Sequence, residues 1–312
     1  MVNTAVDLGG LNMATPVVTA SGTFGYGTEY LGAVDYSKLG AVTAKGIRLE
    51  PWPGNAMPRH CEVPGGVVNA IGLQGQGVER FLSLTVPWYR EETTAAAGRP
   101  VPLIANIWGG TVEGYAGVAR RLGSAVDALE VNVSCPNVKE GGHAFGHDPA
   151  VLKEVVSAVR RATELPLIVK LAPNVPSIAP YVKACEDAGA DALSLVNTFP
   201  AMVIDVERRA PVLANVCGGL SGRGMHPAAV KLVYDAHRAG KLPILAMGGV
   251  YDANDALEFM LAGATAVAVG TATFSDPGTA AAVCDGIVDY CERHGFASVG
   301  ELTGNLSGAL GR

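Results

Sequence analysis

The sequence predicts an α/β fold: a (β/α)8 (TIM) barrel with an N-terminal β-hairpin and an active-site lid loop. Three observations point there. Short apolar or β-branched runs recur about eight times along the chain, each ending in Gly or a polar residue. Helical patterns lie between most of them, and strict alternation of strand and helix implies parallel pairing through right-handed crossovers. The runs are nearly continuous in apolar residues, as expected of a sheet buried on both faces. Eight such units close most naturally into a barrel, and barrels of this kind commonly run to this length as one domain, here residues 1–312.

The elements follow in order. Val6-Asp7-Leu8-Gly9-Gly10-Leu11-Asn12 reads as a hairpin before the first barrel strand. The strand candidates are Pro16–Ser21, Ala41–Gly46, Pro102–Asn106, Ala128–Asn132, Leu167–Leu171, Ala192–Asn197, Ile244–Gly249 and Ala266–Thr271. Helical spacing is seen over Gly114–Leu122, Pro149–Thr163, Ser177–Ala188, Pro227–Ala239 and Ala253–Ala262. A doubly wound dinucleotide fold is disfavoured, because no G-x-G-x-x-G follows an early strand.

Composition narrows the function classes. Hydrophobic residues make up 49% of the 312 and charged residues 17%, ample for a large core. The net charge of −6, without blocks of Lys or Arg, argues against nucleic acid as a partner. The six cysteines show no C-x-x-C, so zinc or an iron–sulfur cluster held by this chain alone is not expected. They are too sparse for a disulfide framework, which suggests a reducing, cytoplasmic setting. No signal peptide is visible, and no apolar run reaches the length of a membrane span.

In a barrel of this type chemistry gathers at the C-terminal ends of the strands. Here those ends read Ser21, Lys45, Asn106, Asn132, Lys170, Asn197, Gly248-Gly249 and Gly270-Thr271. The last two fall where barrels often bind phosphate through backbone N–H groups, and glycine lets the backbone approach closely, though either pair also suits a tight strand-to-helix turn. Lysines facing inward at a rim need an anionic partner, whether a reduced flavin, a phosphate or a carboxylate. Alternatively Lys45 and Lys170 snorkel to the surface, or Lys170 serves as a Schiff-base lysine. Cys135, in Asn132-Val133-Ser134-Cys135-Pro136-Asn137, stands where a strand hands over to a loop. It reads as a packed thiol, a covalent nucleophile or a general base. The loop Pro136–Pro149 holds Gly141, Gly142 and Gly146 as candidate lid hinges, and His143 and His147 as candidate partners for the thiol. The remaining five cysteines are expected in helical or loop contexts with structural roles.

Asn132–Gly142 followed by Ala144-Phe145-Gly146 resembles the catalytic loop of the dihydroorotate dehydrogenase family. Ala20–Gly25, Thr43–Gly46, Asn69–Gln74, Val196–Thr198, Gly218–Gly222, Met247–Val250 and Val269–Thr271 resemble further family segments in the family's order, across nearly the whole chain. The resemblance implies an FMN-binding barrel that oxidises dihydroorotate to orotate in pyrimidine (UMP) synthesis. Cysteine in the catalytic loop points to the soluble class 1 enzymes, and Val138-Lys139-Glu140-Gly141-Gly142 resembles the NAD-linked class 1B type. For that type it implies a heterotetramer of two catalytic chains with two electron-transfer chains carrying FAD and a [2Fe–2S] cluster.

Carried onto this sequence, the resemblance makes Cys135 the base at C5 of dihydroorotate, with hydride leaving C6. It assigns Lys45, Asn69, Ala70, Ile71, Gly72, Leu73, Asn132, Asn197 and Thr198 to substrate. It assigns Ser21, Lys45, Gly46, Asn106, Asn132, Lys170, Val196, Gly222, Gly248, Gly249, Gly270 and Thr271 to FMN, and no residue to a metal. Asparagine side chains both donate and accept, as the carboxylate and imide edges of such a substrate require. Two segments depart from the family pattern. Arg223-Gly224-Met225-His226-Pro227 replaces Pro-x-x-Lys-Pro, and Asn55–Arg59 is only partly like the family's proline-rich loop. The alternatives are the fumarate-linked class 1A enzyme, a related dihydropyrimidine dehydrogenase, a Schiff-base aldolase using Lys170, and a non-catalytic barrel.

Overall fold

The structure, a computed structural model, describes residues 2–133 and 145–307. The chain opens with the antiparallel pair β1 (Val6–Leu8) and β2 (Leu11–Met13), each burying its first and third residues and exposing the middle one. This is the expected hairpin.

Eight parallel strands then close a barrel: β3 (Val17–Thr19), β4 (Ala41–Ile47), β7 (Leu103–Ile107), β8 (Ala128–Asn132), β9 (Leu167–Lys170), β10 (Ala192–Leu195), β15 (Ile244–Met247) and β16 (Ala266–Val269). They are hydrogen-bonded in that order, and β16 pairs back onto β3 through Val267 and Val17. All residues of the last six are buried, as a sheet packed on both faces requires. Helices Val86–Ala97, Val112–Leu122, Pro149–Arg160, Ala179–Asp187, His226–Ala239, Ala253–Ala262 and Thr279–His294 cover the outside. Side-chain caps start three of them: Thr111 accepts from Gly114 N–H, Asp148 from Ala150 N–H, and Asp252 and Asp255 form a capping box. Between β3 and β4 the connection carries only the short 3-10 turn Tyr36–Lys38 among its helical elements.

The observed strands are mostly shorter than the apolar runs. Ser21, Asn197, Gly248 and Gly270 lie just past their strands, whereas Lys45 and Asn106 lie inside β4 and β7. The expectation that each polar residue ends its strand is therefore corrected for those two. The pleat explains why they still matter: Lys45 shares a face with Thr43, and Asn132 shares a face with Glu130.

Two excursions add a second sheet, which the sequence reading did not contain. After β4 come β5 (His60–Val63) and β6 (Gly66–Asn69). After β10 come β11 (Phe199–Met202), the small hairpin β12 (Ile204–Asp205) and β13 (Ala210–Pro211), and β14 (Cys217–Ser221). They pair antiparallel in the order β11-β14-β6-β5, with Val68 facing Leu220 and Asn69 facing both Gly219 and His60. A small core of Val68, Ala70 and Leu213 sits beneath this sheet, separate from the main core. Cys61 and Cys217 lie on it, which corrects their expected helical or loop placement, while Cys185, Cys284 and Cys291 are buried in helices as read. Among the described residues no helix is long and apolar enough to cross a membrane.

Candidate active site

A cavity of about 980 Å³ lies between the C-terminal mouth of the barrel and the antiparallel sheet. That volume is at the upper end for small-molecule sites. The barrel side contributes Ser21, Lys45, Asn132, Lys170, Asn197 and Thr271. The sheet side contributes Arg59, His60, Glu62, Asn69 and Ser221.

Each barrel-side group is held by its strand. Ser21 Oγ donates to the Ala44 carbonyl at 2.9 Å, tying the end of β3 to β4. Lys45 N–H donates to the Gly25 carbonyl at 2.8 Å. Burial, reinforced by the positive charge of Arg59, pulls the Lys45 ammonium below the ordinary lysine range. An ammonium so placed is best stabilised by an anion entering the cavity. Lys170 closes β9 and is 6% exposed. The carbonyl of Asn132 accepts from the Tyr115 hydroxyl at 2.8 Å, which anchors the end of β8 to the Val112–Leu122 helix. The amide groups of Asn132 and Asn197 touch each other, Asn197 Nδ2 donating to Asn132 Oδ1 at 3.2 Å. Asn197 Oδ1 accepts in turn from Thr198 N–H at 2.8 Å.

At one end of the cavity the backbones at Gly66, Gly222 and Gly249 approach one another closely, with His226 Cβ packed beside Gly249. A Cβ on Gly249 (φ +75°) would lie 2.9 Å from the Gly222 carbonyl oxygen, and one on Gly222 would lie 2.5 Å from Gly66 Cα. Only glycine allows this approach. The short 3-10 helix Thr271–Phe274 begins just after Gly270 with no side-chain cap, whereas the His226–Ala239 helix offers no free N–H in its first two positions, His226 N–H being bonded to the Arg223 carbonyl and Pro227 having none. Uncapped N–H groups beside a glycine turn suit a phosphate, so the residues present fit a phosphorylated cofactor.

Of the residues singled out in the sequence, Ser21, Lys45, Gly46, Asn69, Ile71, Gly72, Leu73, Asn132, Lys170, Asn197, Thr198 and Thr271 line this one cavity. Asn106 is fully buried beneath it. Ala70 is directed into the small core with Leu213 and does not line the cavity. Val196, Gly222, Gly248, Gly249 and Gly270 border the site without lining it. Cys135, His143 and most of the expected lid lie outside the described residues. Where the loop resumes, Phe145 packs edge-on against Tyr115, and the His147 carbonyl accepts from the Tyr181 hydroxyl at 2.7 Å.

Several cavity residues escaped the sequence reading. Arg59 donates to the Gln74 side chain at 3.0 Å. Arg223 stacks over Tyr251 at 4.8 Å and pairs with Asp252 at 3.2 Å. Both arginines were noticed only as parts of segments that depart from the family pattern. Among the described residues no group of three His, Cys, Asp or Glu side chains is placed to hold a metal ion.

The sequence matches the dihydroorotate dehydrogenase family over residues 3–290. It is 50% identical over 303 residues to the dihydroorotate dehydrogenase B (NAD+) catalytic subunit of Pelobacter propionicus, covering 96% of this chain and 97% of that one. The protein of the same description from Trichlorobacter lovleyi is 50% identical over 306 residues, covering 97% and 98%. The one from Alkaliphilus metalliredigens is 47% identical, covering 98% and 99%.

Proposed function

The chain belongs to the dihydroorotate dehydrogenase family of oxidoreductases, and from that premise we propose that it oxidises dihydroorotate to orotate as the catalytic subunit of an NAD-linked enzyme. The observation that carries this reading is the convergence of Lys45, Asn69, Asn132 and Asn197 on one cavity beside the closely approaching glycines 66, 222 and 249. A planar anion bearing carboxylate and imide edges needs a cation and several groups that both donate and accept.

Ser21, Lys45, Gly46, Asn106, Asn132, Lys170, Val196 and the glycine-bordered end (Gly222, Gly248, Gly249, Gly270, Thr271) would hold FMN, which would supply the hydride acceptor. The chain's own residues do the rest. Lys45 and the asparagines, with the backbone of Asn69–Leu73, hold the substrate flat across the barrel mouth. The Cys135 thiolate takes the proton from C5, and that electron pair forms the C5=C6 bond as C6 gives up hydride. The antiparallel sheet excludes water from one side. A partner subunit carrying FAD and a [2Fe–2S] cluster would supply the electron path to NAD. The working assembly is a cytoplasmic heterotetramer in which residues 1–312 form a single domain.

The test is direct. Anaerobic dihydroorotate should bleach the yellow chain stoichiometrically, and NADH should form only when the partner is added. Failure to bleach would overturn the activity. Efficient fumarate reduction by the chain alone would overturn the NAD-linked part. Borohydride trapping of a substrate on Lys170 in colourless protein would favour an aldolase instead.

A further inference from the structure

Glu130 has no part in the mechanism above, yet it is fully buried inside the barrel. It lies directly opposite Asn106 in the β7–β8 register, and its Oε2 is 2.5 Å from Asn106 Nδ2. An amide nitrogen can only donate, so Glu130 accepts and Asn106 must turn its Oδ1 the other way. That Oδ1 accepts from Asn132 Nδ2 at 3.5 Å, the longest link of the series. Asn132 Oδ1 then accepts from Asn197 Nδ2, and Asn197 Oδ1 from Thr198 N–H.

Three asparagines thus form a chain with one polarity, running from the barrel interior to the cavity wall. An isolated asparagine can exchange its oxygen and nitrogen by a half-turn of the amide at little steric cost. Here a half-turn of any one would set donor against donor, or acceptor against acceptor. One end is pinned by a backbone N–H, which only donates; at the other, an oxygen of residue 130 meets the Asn106 Nδ2 donor.

We propose that Glu130 is a positioning residue that sets the donor–acceptor orientation of Asn132 and Asn197. It thereby decides which edge of a planar imide or carboxylate ligand those two amides accept. Glu130 does not itself line the cavity and acts through Asn106. The ligand half of this inference rests on the dihydroorotate reading; the orientation half does not.

The test compares Glu130→Gln with Glu130→Asp in the FMN-loaded full chain. Gln keeps the reach and an acceptor oxygen but loses the carboxylate. Asp keeps the carboxylate but falls one methylene short of Asn106. With dihydroorotate and an artificial acceptor, E130Q should hold KM within about threefold of wild type. E130D should raise KM about tenfold with kcat little changed, the usual scale for a lost buried hydrogen bond. An unchanged KM in E130D, or an E130Q as impaired as E130D, overturns the proposal. A second readout needs no substrate. In protein labelled with 15N-asparagine, the side-chain amide protons of Asn106 and Asn132 should be protected from exchange in wild type and E130Q, and should exchange about tenfold faster or more in E130D. Equal protection in E130D overturns the proposal by itself. If dihydroorotate fails to bleach the wild type, the functional reading falls and this second readout still decides the role of Glu130.

Discussion

Every residue of the barrel strand β8 is buried, whereas none of the covering strand β5 is. The two strands face one cavity, and the contrast shows how it divides its work. A barrel strand is locked on both sides by parallel neighbours and on both faces by core, so a polar group on it is held in one place. The covering sheet has a three-residue core of Val68, Ala70 and Leu213, and its strands keep half-exposed polar side chains. The barrel wall is thus suited to chemistry that demands fixed geometry, and the sheet to gripping and enclosing a ligand.

The largest effect expected is at the proposed base, which lies outside the two described regions. Cys135→Ala should keep FMN bound and lower kcat by about 10²–10⁴-fold near neutral pH, as removal of a general base commonly does. Near-normal turnover would remove the base assignment. Stability should separate the two regions next. Ile168→Ala, in β9, is expected to cost about 2–5 kcal/mol in a denaturant titration of the whole fold. Leu213→Ala should fall at or below the low end of that range, with faster hydrogen exchange confined to β6 and β14. A global loss as large from Leu213 as from Ile168 would show that the sheet is as integral as the barrel. A substitution on the covering side, Asn69→Ala, should raise the KM for dihydroorotate about tenfold while kcat stays within a few-fold, the pattern of lost uniform binding. A fall in kcat to match Cys135→Ala would break the division.

The smallest effect is in pH. Burial and Arg59 hold the Lys45 pKa below the ordinary 10.5. An anionic ligand favours the ammonium, so binding is strongest where Lys45 is protonated and weakens as pH rises through its pKa. Orotate affinity, titrated from neutral pH upward, should begin to decline below pH 10.5 in the wild type. In Lys45→Met that component of the decline should be missing and affinity should be weaker throughout. Identical profiles for the two proteins would exclude Lys45 as the anion partner.

Legibility followed the same division. The eight barrel strands were visible because each is a nearly continuous apolar run, and Lys45, Asn132, Lys170 and Asn197 stood out because they follow such runs. The covering sheet was not visible as a sheet. Gly66-Val67-Val68-Asn69 and Cys217-Gly218-Gly219-Leu220-Ser221 are short, glycine-rich and half-buried, and they pair across some 150 residues of chain. Glu130 was hidden for a different reason: inside an apolar strand it read as an ordinary member of the run.

The sequence by itself determined the parallel barrel, the ring of polar groups around its mouth and the family, because these rest on local apolar periodicity and on short motifs. Only the tertiary structure decided what those groups do to one another. The sheet that closes the cavity, the backbone contact of Gly66 with Gly222, and the polarity running from Glu130 through Asn106 and Asn132 to Asn197 all join residues distant in the chain. Their direction is a property of donors and acceptors meeting in space, and no spacing along a sequence encodes it.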